Sequence, residues 1–243
     1  MRVFVAGGSG VLGRRLVSRL VARGHQVTAT TTSAAKVRDL AELGARPVVM
    51  DGLDGMRVGE AVAMARPDAI VHQMSAMSAP YDGWFVRTDR LRTEGTDHLL
   101  AAAEATGVPH VVARSHASWQ DGAGAAAIRH VEEVVVEAGG AALRYGRLYG
   151  PGIGDDRAGP LHEGRFPLVA GSSWVHLDDA VSATVLAVER KARGVFDIVD
   201  DEPAQTGDPR WAAAARSNAR AKRELGWRPR HPSCRQGFTG EPA

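Results

Sequence analysis

The sequence predicts an α/β fold, a doubly wound parallel sheet followed by a small C-terminal region. Three observations carry that expectation. Short apolar runs alternate with stretches whose apolar residues recur every three or four positions, the pattern of strands joined by helical crossovers. The first apolar run meets a glycine cluster, Gly7 to Gly13, that opens a helix-like stretch. With 44% hydrophobic and 24% charged residues in 243, the chain can bury a core without disulfides or metal.

Arg2 to Ala6 is short, apolar and ended by glycine, so it reads as a buried strand. Val11 to Arg23 sets Leu12, Leu16, Leu20 and Val21 on one helical face, and Gly24 stops it. A strand follows over His25 to Thr30, a helix over Ala34 to Leu43 and a strand over Arg46 to Met50. Gly59 to Ala65 reads as helix and Ala69 to Gln73 as strand. Thr88 to Thr106 reads as one long helix with Leu91, Leu99, Leu100 and Ala103 apolar. Val108 to Ala113 is a strand, Ala126 to Ala138 a helix and Ala141 to Tyr145 a strand. Right-handed crossovers make this alternation doubly wound. Beyond Gly150 the pattern loosens: Pro151 to Ser173 reads as loop, Asp178 to Arg190 as helix, Val195 to Val199 as strand and Trp211 to Leu225 as helix.

Net charge is +2 and the basic residues are dispersed, which argues against a nucleic-acid partner. Cys234 is the single cysteine, so an internal disulfide is excluded, and a reducing, cytoplasmic location is the expectation. No leader pattern opens the sequence and no apolar run reaches the roughly 20 residues of a membrane helix, so no membrane partner is expected. His98, His110, His116 and His130 lack metal-ligand spacing, and the expectation is no metal.

The glycine cluster follows a strand and opens a helix, the context in which Gly7-x-x-Gly10-x-x-Gly13 carries meaning. Gly7 permits a tight turn, Gly10 lets a pyrophosphate approach the backbone, and Gly13 lets helix and strand pack closely. Gly7, Ser9, Gly10, Val11, Leu12 and Gly13 therefore form the candidate dinucleotide cradle, with first-turn amides and the helix dipole supplying the anion site. An NAD site usually has Asp or Glu at the end of the second strand. Here that place reads Thr30-Thr31-Thr32-Ser33, with Lys36 just beyond. Hydroxyls and a cation suit a 2′-phosphate, so Thr31, Thr32, Ser33 and Lys36 point to NADP, with NAD the alternative. Residues 1–150 are then an NAD(P)-binding domain and 151–243 a smaller substrate-side region, partly packed back on the sheet.

At this point the chain resembles the extended and atypical short-chain dehydrogenase/reductases, the NAD(P)-dependent epimerase/dehydratase group with its Rossmann fold. The resemblance rests on the glycine loop, Asp51-Gly52-Leu53-Asp54, Val71-His72-Gln73-Met74-Ser75, Glu94-Gly95-Thr96, Leu143-Arg144-Tyr145 and Tyr149-Gly150-Pro151-Gly152. Val175-His176-Leu177-Asp178-Asp179, Phe196-Asp197-Ile198 and Leu225-Gly226-Trp227-Arg228-Pro229 extend it toward the C-terminus. It implies that Asp51, Gly52 and Leu53 line the adenine, that Gln73, Met74 and Ser75 line the path to the nicotinamide ribose, and that Tyr149 flanks the nicotinamide. His176 and Asp178 are expected to be structural. By analogy, the helices over 88–106 and 126–138 offer a homodimer interface.

The family's chemistry needs Tyr-x-x-x-Lys, a phenol whose proton transfer a nearby cation assists. Four residues beyond Tyr81, Tyr145 and Tyr149 stand Phe85, Tyr149 and Ile153, so the relay is missing. With Glu133 taken as the family's helix glutamate, Arg129 falls in the Lys place and Ala125 in the Tyr place. Arg129 can bind ribose or hold a positive field but cannot donate a proton. Ser115 and His116 would stand nearest the reacting carbon, and His116 is the candidate acid or base. Trp84, Trp119 and Trp174 are candidates to line an apolar pocket. The chain is also short between Ser115 and Leu143 and at Pro203 to Pro209, where family members carry substrate loops. The expected function is an NAD(P)-dependent oxidoreductase or epimerase-like enzyme on a small carbonyl or sugar-derived substrate. The alternative is a dinucleotide-binding redox sensor or interaction module without turnover.

Overall fold

The computed structural model describes residues 1–76, 84–117, 124–153, 173–202 and 216–234. Its centre is a seven-stranded parallel sheet. The strands are β1 (Arg2–Ala6), β2 (Gln26–Thr31), β3 (Arg46–Val49), β4 (Ala69–His72), β5 (Val111–His116), β6 (Ala141–Tyr145) and, at the far edge, β9 (Gly194–Ile198). Their order is β3-β2-β1-β4-β5-β6-β9, so the winding reverses between β1 and β4. In such sheets ligands bind outside the carboxyl ends of the strands at that reversal.

Two helical layers cover the sheet. One holds α1 (Val11–Ala22), α2 (Val37–Glu42), α7 (Leu177–Glu189) and α8 (Ala219–Leu225); Leu16, Leu40, Ala180 and Leu225 pack there with Val3, Val5 and Leu143. The other holds α3 (Gly55–Ala65), α5 (Glu94–Thr106) and α6 (Ala125–Glu137), where Val58 and Leu99 pack on Phe4 and Ile70. Leu177, Phe196 and Trp227 share a core with Val3 and Leu16, so that core runs through the expected boundary at residue 150.

Several elements differ from their sequence expectation for local reasons. Helix α3 begins at Gly55, four residues early, because the Asp54 side chain accepts the Arg57 N–H as an N-cap. The long helix expected over 88–106 is two, α4 (Trp84–Arg92) and α5, because Thr93 leaves helical geometry (ψ −82°) and its hydroxyl donates to the Asp89 carbonyl. Trp84 thus opens a helix rather than lying in a loop, while Trp119 lies outside the described residues, as do the shortened bridges at 120–123 and 203–209. Strand β5 starts at Val111, since Pro109 has no N–H to pair, and continues through His116 against Tyr145 of β6. Arg114, Ser115 and His116 are therefore strand residues on alternating faces. A second, two-stranded sheet joins β7 (Arg147–Tyr149) to β8 (Trp174–His176), which the loose pattern after Gly150 concealed. At the C-terminus Arg216 to Asn218 are not helical, α8 begins only at Ala219, and 211–215 lie outside the described residues.

Candidate functional site

The glycine loop is shaped by what glycine alone allows. A Cβ on Gly13 would stand 2.3 Å from the Gly7 carbonyl oxygen, and one on Gly7, at φ +89°, would stand 2.8 Å from the Gln73 backbone. At Gly10 such a Cβ would meet only the Gly7 carbonyl oxygen among the described atoms, at an ordinary contact distance of 3.6 Å. Gly10 caps α1 with no side-chain hydrogen bond, and no acidic residue stands in the first turn. Val11, Leu12 and Gly13 thus begin the helix with amides available to an anion. The Thr30 hydroxyl, 2% exposed as a residue, accepts the Gly7 N–H at 3.0 Å and pins the loop to the next strand. Thr30 was missed among the candidate site residues; its place opposite Gly7 becomes visible only once β1 and β2 pair.

Thr31 is buried, and its hydroxyl accepts the Ser33 N–H at 3.2 Å. Thr32 and Lys36 are exposed, and Ser33 is half-buried. The first carboxylate after β2 is Asp39, which faces Arg14 at 3.3 Å. Beyond β3, Asp51 accepts the Leu53 N–H and pairs with Arg87 at 2.6 Å. Burial opposes its charge, but Leu53 and Arg87 outweigh burial and hold the carboxyl below its usual range. A Cβ on Gly52 would overlap the Met74 sulfur at 2.3 Å, so Gly52 and Met74 fit against each other.

At the end of β4, His72 is fully enclosed. Burial, above all, lowers its pKa to about 4; its Nδ1 accepts the Met74 N–H and its Nε2 faces the Leu91 carbonyl. Gln73 donates to the Tyr145 hydroxyl at 3.0 Å, and that hydroxyl lies 2.6 Å from Thr184 of α7. The other amide atom, Gln73 Oε1, is buried with no partner. Ser75 is half-buried beside them.

Strand alternation separates the candidates on β5. Ser115 faces α6, where its hydroxyl donates to Glu132, and Glu132 in turn holds Arg144 in a bidentate pair at 2.6 and 2.7 Å. That commitment removes Ser115 from the crevice face. The buried, paired glutamate of α6 is Glu132, while Glu133, from which the sequence reading counted, is exposed. Arg129 is exposed and Ala125 is buried on α6; counted from Glu132 instead of Glu133, the corresponding positions are Ile128 and Gly124. His116 lies on the other face with Arg114. Burial first, then the charges of Arg114, Arg92 and Arg147, lower its pKa to about 3. The imidazole is neutral at pH 7 and is no proton donor there.

Tyr149 is buried, with its hydroxyl 3.3 Å from the Ser233 carbonyl and its ring edge against His176. Burial foremost raises its pKa, so the phenol stays protonated. Trp174 is likewise packed away on β8 rather than lining a pocket. His176, Asp179 and His231 bring ligand atoms within 4.8 Å of one another. Those atoms already have work: both Asp179 oxygens accept N–H groups from Arg230 and His231, and His176 Nδ1 accepts the Asp178 N–H. The cluster clasps the C-terminal segment to the start of α7.

A pinned glycine loop at the reversal point of a parallel sheet, with open first-turn amides, defines a dinucleotide-binding protein. The NAD(P)H-binding family profile matches residues 7–144, and the chain belongs to that family. It is 36% identical to a 3-diazoavenalumate denitrifying reductase of a Streptomyces species, over 99% of this chain and 100% of the relative. That alignment runs to 308 positions against 243 residues here, so the relative carries segments that this chain lacks. A 2-alkyl-3-oxoalkanoate reductase of Stenotrophomonas maltophilia is 31% identical over 80% of this chain and 67% of its own length. Among solved structures, UDP-glucose 4-epimerase of Thermotoga maritima shares the fold at TM-score 0.75 and 19% identity, over 98% of this chain and 96% of that one. This is an NAD(P)-binding chain of the reductase/epimerase-like group, and its cofactor is a nicotinamide dinucleotide. Among the described residues no helix is long and apolar enough to cross a membrane.

Proposed function

We propose that this chain is an NADP-preferring reductase that delivers hydride to a small carboxylate-bearing substrate without lending it a side-chain proton. A diazo-bearing carboxylic acid is the substrate class that fits best. One observation carries the reading: the sequence holds no Tyr-x-x-x-Lys, and the polar side chains of β5 offer no replacement for it. Counted from either Glu132 or Glu133, neither a Tyr nor a Lys stands in the relay positions of α6, Ser115 is tied to Glu132, and His116 is neutral.

When bound, the reduced nicotinamide supplies a hydride. From a cationic aryl diazonium carbon, loss of dinitrogen needs nothing more; a neutral diazo carbon would also take one proton, which water can give. A C–H bond replaces the C–N bond, whose electron pair leaves with the dinitrogen, and no side-chain proton enters the balance. The chain's own part is then to bind and orient. The amides of Val11, Leu12 and Gly13 hold the pyrophosphate, and Asp51, Gly52 and Leu53 line the adenine. Thr32, Ser33 and Lys36 meet a 2′-phosphate at an end of β2 where Asp39 is already engaged by Arg14. Gln73, Met74 and Ser75 border the ribose. The names of two relatives, a diazoavenalumate reductase and an oxoalkanoate reductase, support a carboxylate substrate.

The test uses NADPH deuterated at the transferring position and a diazotised aminohydroxybenzoate. Oxidation above the enzyme-free rate, with one deuterium at the carbon that lost nitrogen, is expected. NADPH should bind about tenfold or more tighter than NADH, the scale of a hydrogen bond to a charged group. Turnover confined to ketones or nucleotide sugars would overturn the substrate class. Tight NADPH binding without turnover on any of these would favour the non-catalytic sensor.

A further inference from the structure

Among the described residues, Arg114 is a charge at the carboxyl end of the sheet with no carboxylate partner. It sits near the carboxyl end of β5, in register with Leu143 of β6 and on the face that carries Tyr145. Its neighbours in the strand, Ala113 and Ser115, are buried toward α6, while Arg114 itself is only partly covered. No described carboxylate lies within ion-pair distance of it. Burial pulls its pKa down, and Tyr145 is the one neighbour that favours its charge, whereas Arg92 opposes it. The contrast with nearby arginines is direct: Arg144 has Glu132 at 2.6 Å and Arg92 has Asp89 at 2.8 Å. Arg147 lies over the Trp174 ring at 5.1 Å.

A partly covered guanidinium without a counter-ion is costly, and a ligand that supplies the missing charge is one reason for a protein to keep it. Gln73 follows His72, which pairs with Ala113, so Gln73 stands next to Arg114 across the β4–β5 boundary. Its Oε1 is an unpartnered acceptor on a residue only 5% exposed. That acceptor cannot itself hold an anion, so Arg114 is the donor left at the ends of these two adjoining strands.

We propose that Arg114 is a specificity-determining residue that binds the carboxylate of the substrate. The anion is not the cofactor's pyrophosphate, which belongs at the β1 loop. With strands about 4.8 Å apart, β5 is roughly 10 Å from β1 and farther still from a 2′-phosphate at β2. The anion is a monoanion, since Arg92 is already neutralised by Asp89 and a single planar fork matches a carboxylate. This inference rests on the proposed reductase reading, yet its test is independent of turnover.

The experiment is thermal denaturation of the wild-type protein and of Arg114→Met, each with and without NADP+, titrated with benzoate or with neutral benzamide. Benzoate should raise the wild-type midpoint and benzamide should not. Arg114→Met should lose the benzoate response, weakening benzoate binding about tenfold or more. It should also melt about 2–4 °C higher than wild type without ligand, because an unpaired covered charge has gone. A structural role would produce the opposite sign. A lower midpoint for Arg114→Met, or equal responses to benzoate and benzamide, would overturn the proposal. The NADP+ response reports separately on the glycine cradle, so loss of that response alone would strike the dinucleotide reading and leave the anion site standing.

Discussion

The β1 end of the crevice offers a ligand main chain; the β5 end offers side-chain charge. The cradle is fixed by close backbone approaches, with Gly13 against the Gly7 carbonyl and Gly7 against Gln73. The β5 end is fixed by a buried network of Ser115, Glu132 and Arg144 on one face, and by Arg114 and His116 on the other. Backbone geometry tolerates almost no substitution, whereas a charge network can be re-dealt while the sheet stays intact. That difference explains how a chain keeps a dinucleotide cradle and sheds the proton relay that usually accompanies it. The largest expected effect follows: Gly13→Val should abolish NADP+ binding, since a β-branched side chain cannot fit where even a Cβ would stand 2.3 Å from a carbonyl oxygen. Calorimetric titration of the variant checks it, and retained binding would show that the cradle is softer than its geometry.

The same contrast governs what could be read from the sequence. The cradle was legible because its chemistry is local: a strand, three spaced glycines and a helix lie within 22 residues of the N-terminus. Asp54 illustrates the opposite kind of miss, a cap that lengthened α3 beyond its apolar pattern. The β5–α6 corner was not legible in the same way. Choosing between Glu132 and Glu133 requires knowing which faces Arg144, twelve residues later and on another strand. A one-residue choice there moves the inferred Lys place between Ile128 and Arg129. Ser115 looked available because its partner is 17 residues away in sequence.

The network itself gives the next prediction. Glu132→Ala leaves Arg144 without its pair and Ser115 without its acceptor in a buried setting. A loss of about 3 kcal/mol in urea-denaturation stability is expected, the usual cost of breaking a buried pair by removing one partner. Glu132→Gln, which keeps an acceptor for Ser115, should lose less. If both lose under about 1 kcal/mol, the corner is not held by charge in the way the geometry suggests.

A third effect sharpens the contrast through pH. Asp200, 6% exposed, belongs to the same charge-built side of the molecule. Burial, with Asp179 and Asp201 adding to it, pushes its pKa up to about 8, against the Tyr149 hydroxyl, which favours the charged form. The folded state therefore holds a proton that the unfolded state releases above its ordinary carboxyl range. Stability should fall as pH rises from about 4 to about 8, by at most ~1.4 kcal/mol per pH unit, and level off above that. Asp200→Asn should flatten this slope, gaining most at pH 8. Urea midpoints measured at pH 5, 6.5 and 8 decide it, and an unchanged slope in the variant would place the linkage elsewhere.

The smallest effect tests whether the cradle is as purely main-chain as the comparison makes it. Thr30 contributes the one side-chain atom that fixes the loop, accepting the Gly7 N–H at 3.0 Å. Thr30→Val keeps shape and burial and removes that acceptor. The Gly7 N–H then has no partner in a covered position, which costs about 1–2 kcal/mol. Because Gly7 and Gly13 touch, the loosening reaches the helix start that faces the pyrophosphate. NADP+ affinity should fall several-fold while benzoate binding at Arg114 stays as in wild type. Were both to fall together, the two ends of the crevice would be coupled through Gln73, whose backbone abuts Gly7 and whose side chain stands beside Arg114. Were neither to change, backbone contacts alone would set the cradle, and the division between its two ends would be sharper than drawn here.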